Sequence, residues 1–282
     1  MKNKCILKCV LFALVAFNSL AIMAQTTQQA AKPEKKFLQP ERVRYDGSCM
    51  TIEGKDIFIY SAAFHYFRCP EELWRDRFRQ IKEAGFNTVE TYVPWNWHER
   101  IMPSGLNDNS HFDFSDVKRW LKMAQEEFGL YTIVRPGPFI CAEYSGGGYP
   151  RWLAKFCPGG MDDFWLRSAD HRHISWSQHW FDAVCKALAD EQITRKPVGE
   201  KGIILIQIEN EYNHHGCYGK EKLLKALYQS VRKSGMDIPI FTCLTNECRS
   251  SEDVELSQVF DSDNYYVCLL YTSPSPRDKR QS

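Results

Sequence analysis

The stretch Gly202-Ile-Ile-Leu-Ile-Gln-Ile-Glu-Asn-Glu-Tyr212 leaves few folds open to this chain. Ile203, Ile204, Leu205, Ile206 and Ile208 form a nearly continuous, mostly β-branched run. That is the pattern of a parallel strand covered on both faces, not of an antiparallel strand with one wet face. Glu209, Asn210 and Glu211 then arrive together at its C-terminal end. In barrels of parallel strands ringed by helices, that end projects reactive side chains from a rigid scaffold. Chemistry is therefore expected at Glu211, with Glu209 supporting its neighbours.

The rest of the chain repeats the theme. Asp56–Ala62, Asn87–Val93, Leu130–Val134, Gly202–Ile208, Ile238–Leu244 and Val259–Tyr266 read as strands. Glu71–Ala84, Asp116–Phe128, Gln178–Asp190 and Lys220–Lys233 read as helices. Ser115 caps the second of these, and Gly85, Gly129 and Gly235 sit at helix ends, where glycine tolerates a left-handed turn. Strands alternating with helices predict an α/β fold with a parallel sheet. Six such steps fit an incomplete (β/α)8 TIM barrel, about its first six βα units. A doubly wound nucleotide-binding sheet fits less well: no glycine-rich phosphate loop follows any strand, and Gly146-Gly-Gly148 lacks the dinucleotide spacing.

The ends differ in character from the middle. Lys2, Lys4 and Lys8 precede a short apolar run from Cys9 to Met23. This is the plan of a signal peptide, residues 1–24, although Ile22 is bulkier than the small residue usual at the minus-three position. Residues 25–36 read as a flexible polar leader, and 37–267 as the partial barrel. From Cys268 to Ser282 periodicity stops, and the tail resembles a translated sequencing adapter. It is expected to be non-native, so that the chain is a fragment; a Pro/Ser-rich disordered terminus is the alternative. Export implies a periplasmic or extracellular location. A net charge of +1 gives no reason to expect nucleic acid or an anionic membrane as partner. Cys49, Cys69, Cys141, Cys157, Cys185, Cys217, Cys243 and Cys248 could pair in an exported protein, but no CxxC spacing marks a zinc or redox site.

Four segments at strand ends carry a resemblance. Thr91-Tyr-Val-Pro-Trp-Asn-Trp-His-Glu99, Arg135-Pro-Gly-Pro-Phe-Ile-Cys-Ala-Glu143, Gly147-Gly-Tyr-Pro-Arg-Trp152 and Gln207-Ile-Glu-Asn-Glu-Tyr212 together resemble family 35 glycoside hydrolases, the retaining β-galactosidases. Phe64-His-Tyr-Phe67 resembles the family's first-strand segment. The resemblance implies hydrolysis of terminal β-D-galactose from oligosaccharides or glycans, with no cofactor and no metal. It implies that Glu211 is the acid/base, that Asn210 bonds the sugar beside the anomeric carbon, and that Tyr92 and Glu143 contact galactose. Outside the resemblance, Tyr92 reads as a buried, satisfied tyrosine and Glu143 as a carboxylate paired with Arg135. Trp95, Trp97 and Trp152 read either as sugar-stacking walls or as core.

Retaining hydrolysis needs two carboxyl groups about 5 to 5.5 Å apart, one attacking the anomeric carbon and one moving the proton. The family's nucleophile is a Glu at the end of the seventh strand, which this chain does not reach. Glu247, Glu252 and Glu255 match no such motif, so the polypeptide as written is expected to be inactive, with an uncovered strand edge. Two other classes are open to these residues: a non-catalytic carbohydrate-binding barrel, and a metal-dependent hydrolase using His65, His171, His173, His214 or His215. No HExxH supports the second.

Overall fold

The computed structural model describes residues 34–156, 166–212, 220–243, 248 and 251–264. A small antiparallel sheet comes first, formed by β1 (Val43–Tyr45), β2 (Met50–Ile52) and β3 (Lys55–Ile57). Val43 faces Ile52 and Met50 faces Ile57 across it. The main sheet is built from β4 (Ser61–Ala63), β5 (Thr88–Tyr92), β6 (Tyr131–Arg135), β7 (Ile203–Gln207), β8 (Ile240–Cys243) and β9 (Phe260–Ser262). Every neighbouring pair in it is parallel, and spatial order follows chain order. Intervening helices are α1 (Trp74–Glu83), α2 (Ser115–Lys122), α3 (His171–Leu188) and α4 (Lys220–Lys233). Stepwise parallel winding without a reversal of strand order is the winding of a barrel, not of a doubly wound sheet. Among the described residues no strand bridges β9 back to β4.

Burial explains the pattern. All five residues of β7 are buried, as a strand packed on both faces requires. Phe78 of α1 and Trp120 of α2 pack together with ring centroids 5.3 Å apart, and Phe64 closes over both. Trp180, Phe181, Val184 and Leu188 of α3 and Leu223, Leu224, Leu227 and Val231 of α4 complete the buried layer. Gly202 opens β7 because a Cβ there would lie 2.5 Å from the Ile193 nitrogen.

Several expectations need correction. Asp56–Ala62 is not one strand: it divides between β3 and β4, which belong to different sheets. The left-handed pair Glu53 and Gly54 turns β2 into β3, and the connecting Phe58 is 82% exposed. Ser115 is the first residue of α2 and does not cap it with its side chain. Asp113 supplies the local acceptor, taking the Ser115 amide at 2.9 Å. The third helix starts at His171, seven residues before the expected Gln178, because the Asp170 side chain accepts from the Arg172 amide and caps a polar first turn. Lys35 is bonded into the fold, its Nζ donating to the Ser257 and Val259 carbonyls at 2.5 and 2.9 Å. Residues 1–33 and the tail from 268 lie outside the described residues.

Two buried histidines are held neutral in the same way. His98 Nδ1 donates to the Asp113 carbonyl and its Nε2 accepts from Tyr66, each at 2.5 Å. His173 Nδ1 donates to the Ser168 carbonyl at 3.0 Å, and its Nε2 accepts from Tyr149 at 2.9 Å. Burial pushes both down to about 4 from the ordinary 6.5. As pH falls below 6.5 the unfolded chain takes up protons that these folded imidazoles refuse until about 4. Stability is therefore lost across that window, by up to about 3 kcal/mol per histidine. The unfolding midpoint of the chain should fall steeply between pH 6.5 and 4, and His98→Gln should flatten the slope. A midpoint constant through the window contradicts the assignment.

Candidate active site

The six parallel strands bring their C-terminal ends to one rim. His65 follows β4, Tyr92 ends β5, Arg135 ends β6, Glu209 to Glu211 follow β7, Cys243 ends β8, and Asn264 lies just beyond β9. Arg135 organises this rim. Its Nε donates to Gln207 Oε1 at 2.5 Å, Nη1 to Glu90 Oε1 at 3.1 Å and Nη2 to Asn210 Oδ1 at 3.0 Å. Its guanidinium carbon lies 4.2 Å from the centre of the Tyr92 ring. Burial pushes the Tyr92 hydroxyl up to about 12, against the pull of Arg135, so it stays a protonated donor.

Asn210 is oriented by this network. A guanidinium only donates, so the Asn210 atom facing Arg135 must be oxygen. Gln207 Nε2 and Cys243 Sγ approach the same oxygen at 3.3 and 3.5 Å. The amide nitrogen points away from these donors.

Glu209 and Glu211 both have left-handed backbones, with φ of 54° and 49°. Such conformations cost about 1 kcal/mol or more each outside glycine and persist only when surroundings enforce them. Here Arg167 enforces them. Its Nη2 donates to Glu209 Oε2 at 2.9 Å and to the main-chain oxygens of Asn210 and Glu211 at 2.7 and 3.2 Å. Its guanidinium also sits 3.9 Å from the centre of the Phe139 ring. On the other side the Glu209 amide donates to the Gly137 carbonyl at 2.6 Å. Gly137 has φ of 86°, and a Cβ there would meet the Phe139 nitrogen at 2.7 Å. Glu209 itself is fully buried; burial pushes its carboxyl up while Arg167 pulls it down. It supports the turn rather than facing a ligand. Glu211 is only partly buried, and its Oε1 accepts from Asn264 Nδ2 at 2.6 Å.

Tyr92 and Asn210 thus both contact Arg135, and Glu211 is the next residue after Asn210. Glu143 is exposed and follows Cys141 and Ala142 in a run of three left-handed residues, φ 57°, 54° and 45°. The run is tied down where the Tyr144 amide meets the Cys141 carbonyl at 3.0 Å and where Arg68 donates to the Ala142 carbonyl. The alternative pairing of Glu143 with Arg135 does not occur, because Glu90 takes that place. The tryptophan walls are also corrected. Trp95 is fully buried, stacks on Trp180 at 5.9 Å and donates to Glu99 at 2.7 Å. Trp152 packs edge-on against Trp95 and donates to the Glu99 carbonyl, so both are core. Trp97 is half-buried under the Arg100 guanidinium.

Of the histidines considered as metal ligands, His65, His171 and His173 are described, and each has different surroundings. His173 is buried as described, and the imidazole of His171 is 90% exposed beside Asp170. His65 is pushed down to about 4, chiefly by burial. His214 and His215, like Glu247, lie outside the described residues. Glu255 pairs with Lys225 of α4, off the rim, and Glu252 is exposed. The described cysteines, namely 49, 69, 141, 185, 243 and 248, are free thiols. Among the described residues no helix is long and apolar enough to cross a membrane.

The sequence marks Arg135 only as a partner for Glu143 and gives Gln207, Cys243 and Asn264 no site role, yet the first three end strands and could have been found by the rule that drew attention to Glu211. Arg167 carried no such mark.

Comparison with known proteins identifies the family and the fold. The family model described as "Glycosyl hydrolases family 35" matches residues 49–275. Human β-galactosidase-1-like protein 3 is 36% identical over 190 residues, covering 66% of this chain and 26% of the relative. An exo-β-D-glucosaminidase from Pyrococcus horikoshii is 40% identical over 124 residues, covering 42% of this chain and 15% of the relative. The chain thus spans about a quarter or less of the length of these relatives. Among solved structures, a β-galactosidase from the psychrophilic Marinomonas ef1 superposes with a TM-score of 0.51 at 9% identity, covering 79% of this chain and 43% of that one. That likeness concerns the fold alone. A match over most of the sequence, on a parallel βα sheet with a carboxylate-bearing rim, establishes that this chain belongs to glycosyl hydrolases family 35.

Proposed function

We propose that the full-length protein is a retaining β-galactosidase that releases terminal non-reducing β-D-galactose from oligosaccharides or glycans, with Glu211 as acid/base. The observation that supports this reading is the rim cluster, in which Arg135 bonds the Asn210 side-chain oxygen and lies over Tyr92, with Glu211 next in sequence. In the first step Glu211 would protonate the departing oxygen while a second carboxylate attacks the anomeric carbon; in the second it would deprotonate water. An Asn210 N–H bond to the sugar 2-hydroxyl would strengthen as oxocarbenium character develops. Tyr92, protonated throughout the working range, would donate to a sugar oxygen, and Glu143 would accept from a galactose hydroxyl. The nucleophile is assigned to no residue of this chain: Glu90 and Glu209 are held by Arg135 and Arg167.

Residues 1–24 would direct export to the periplasm or beyond, ahead of a leader and the partial barrel, and the tail from 268 would be foreign to the native protein. The Pyrococcus relative supports a second reading, action on a β-D-glucosaminide. The full-length protein should hydrolyse 4-nitrophenyl β-galactoside faster than the glucosaminide, release β-galactose first by NMR, and be recovered outside the cytoplasm beginning at Gln25. Faster glucosaminide cleavage would reverse the substrate order. Sugar binding with no turnover of either would favour a non-catalytic barrel, and an N-terminus at Met1 would remove the export proposal.

A further inference from the structure

We infer that Asn264 is a positioning residue for the acid/base. The inference rests on the proposed role of Glu211. Asn264 lies two residues beyond β9, whose Ser262 pairs with Cys243 at the end of β8. That register carries the chain back over the rim, and Asn264 Nδ2 comes to 2.6 Å from Glu211 Oε1 and 3.9 Å from Cys243 Sγ. The assignment of the amide nitrogen follows from its partners. An ionised carboxylate can only accept, so the atom facing it must be the donor.

Two consequences follow for a carboxyl group that must alternate between acid and base. An amide N–H occupies one lone pair of Oε1, which disfavours the acid proton on that oxygen and directs it toward Oε2. One oxygen therefore delivers the proton, and the carboxyl plane is fixed by a contact from a different strand. The same bond is charge-assisted when Glu211 is ionised and weaker when it is protonated, so it favours the carboxylate.

The test is the pH dependence of kcat/KM on lactose for the full-length enzyme and for Asn264→Ala and Asn264→Asp. The alkaline limb reports ionisation of the acid in the free enzyme. It should move up by about one pH unit in Asn264→Ala, and further in the isosteric Asn264→Asp, which sets a second carboxylate against the first. Plateau kcat/KM should fall about tenfold through lost positioning. A merely structural asparagine would lower the plateau or the unfolding midpoint without moving the limb, and the near-isosteric Asp variant keeps the experiment readable should the Ala variant fold poorly. Glu211→Gln is run alongside. If it abolishes lactose turnover while both Asn264 variants keep the wild-type limb, the inference on Asn264 falls alone. If Glu211→Gln leaves turnover and limb intact, the acid/base reading has failed and this inference with it.

Discussion

Glu211→Gln in the full-length protein is expected to cut kcat/KM on lactose by about a thousandfold, the usual size of a lost general acid. The loss should depend on the leaving group. An alkoxide or sugar oxygen must be protonated as it departs, whereas a dinitrophenolate leaves without help. On 2,4-dinitrophenyl β-galactoside the first step should be nearly spared, and the slow step becomes attack of unassisted water on the glycosyl-enzyme. A pre-steady-state burst followed by low kcat and low KM should result. The geometry makes this a clean substitution, because the turn is set by main-chain oxygens and Glu209, not by the Glu211 carboxyl. Equal losses on both substrates would place Glu211 outside proton transfer.

The second large effect concerns stability and needs only this chain. Arg167→Ala leaves Glu209 buried without its cation, so the carboxyl either carries an uncompensated charge or takes up a proton. Breaking a buried pair from one side costs about 3 to 5 kcal/mol, on the order of 10 °C in unfolding midpoint for a domain of this size. Removing both charges is gentler. Arg167→Met with Glu209→Gln should recover part of the loss but not all, since the bonds from Arg167 to the Asn210 and Glu211 carbonyls go too. Calorimetry of the single and double variants gives the coupling. A double variant no more stable than Arg167→Ala would mean that the ion pair is not what holds the turn.

The contrast between Glu211 and Arg167 shows where sequence reasoning reaches and where it stops. Glu211 was legible because β7 is apolar on both faces, and such a strand in a βα series has only one end at which chemistry can sit. Tyr92 and Asn210 owe their site roles to the family resemblance, Asn210 also to standing beside Glu211 at the strand end. Arg167 follows residues outside the described set and precedes a helix whose first turn, His171-Arg172-His173, shows no apolar period; its bond to Glu209 spans 42 residues of chain. The division of Asp56–Ala62 was missed because Ile57 and Ile59 keep strand alternation through the exposed Phe58, and only the Glu53-Gly54 turn marks the hairpin. Trp95 and Trp152 were ambiguous because an indole suits a sugar face or a core equally well; the acceptors on Glu99, a buried residue beside His179, decided for the core.

The most direct test of the account is the product formed by the Glu211→Ala variant of the full-length protein from 2,4-dinitrophenyl β-galactoside in the presence of azide. Azide needs no general base, and it fits the space left by the carboxyl. If Glu211 is the acid/base of a retaining enzyme, turnover should rise with azide and proton NMR should show β-galactosyl azide, formed on a glycosyl-enzyme that the nucleophile still makes. The α-azide would instead identify Glu211 as the nucleophile, and an absence of both rescue and azide product would contradict its place in the chemistry.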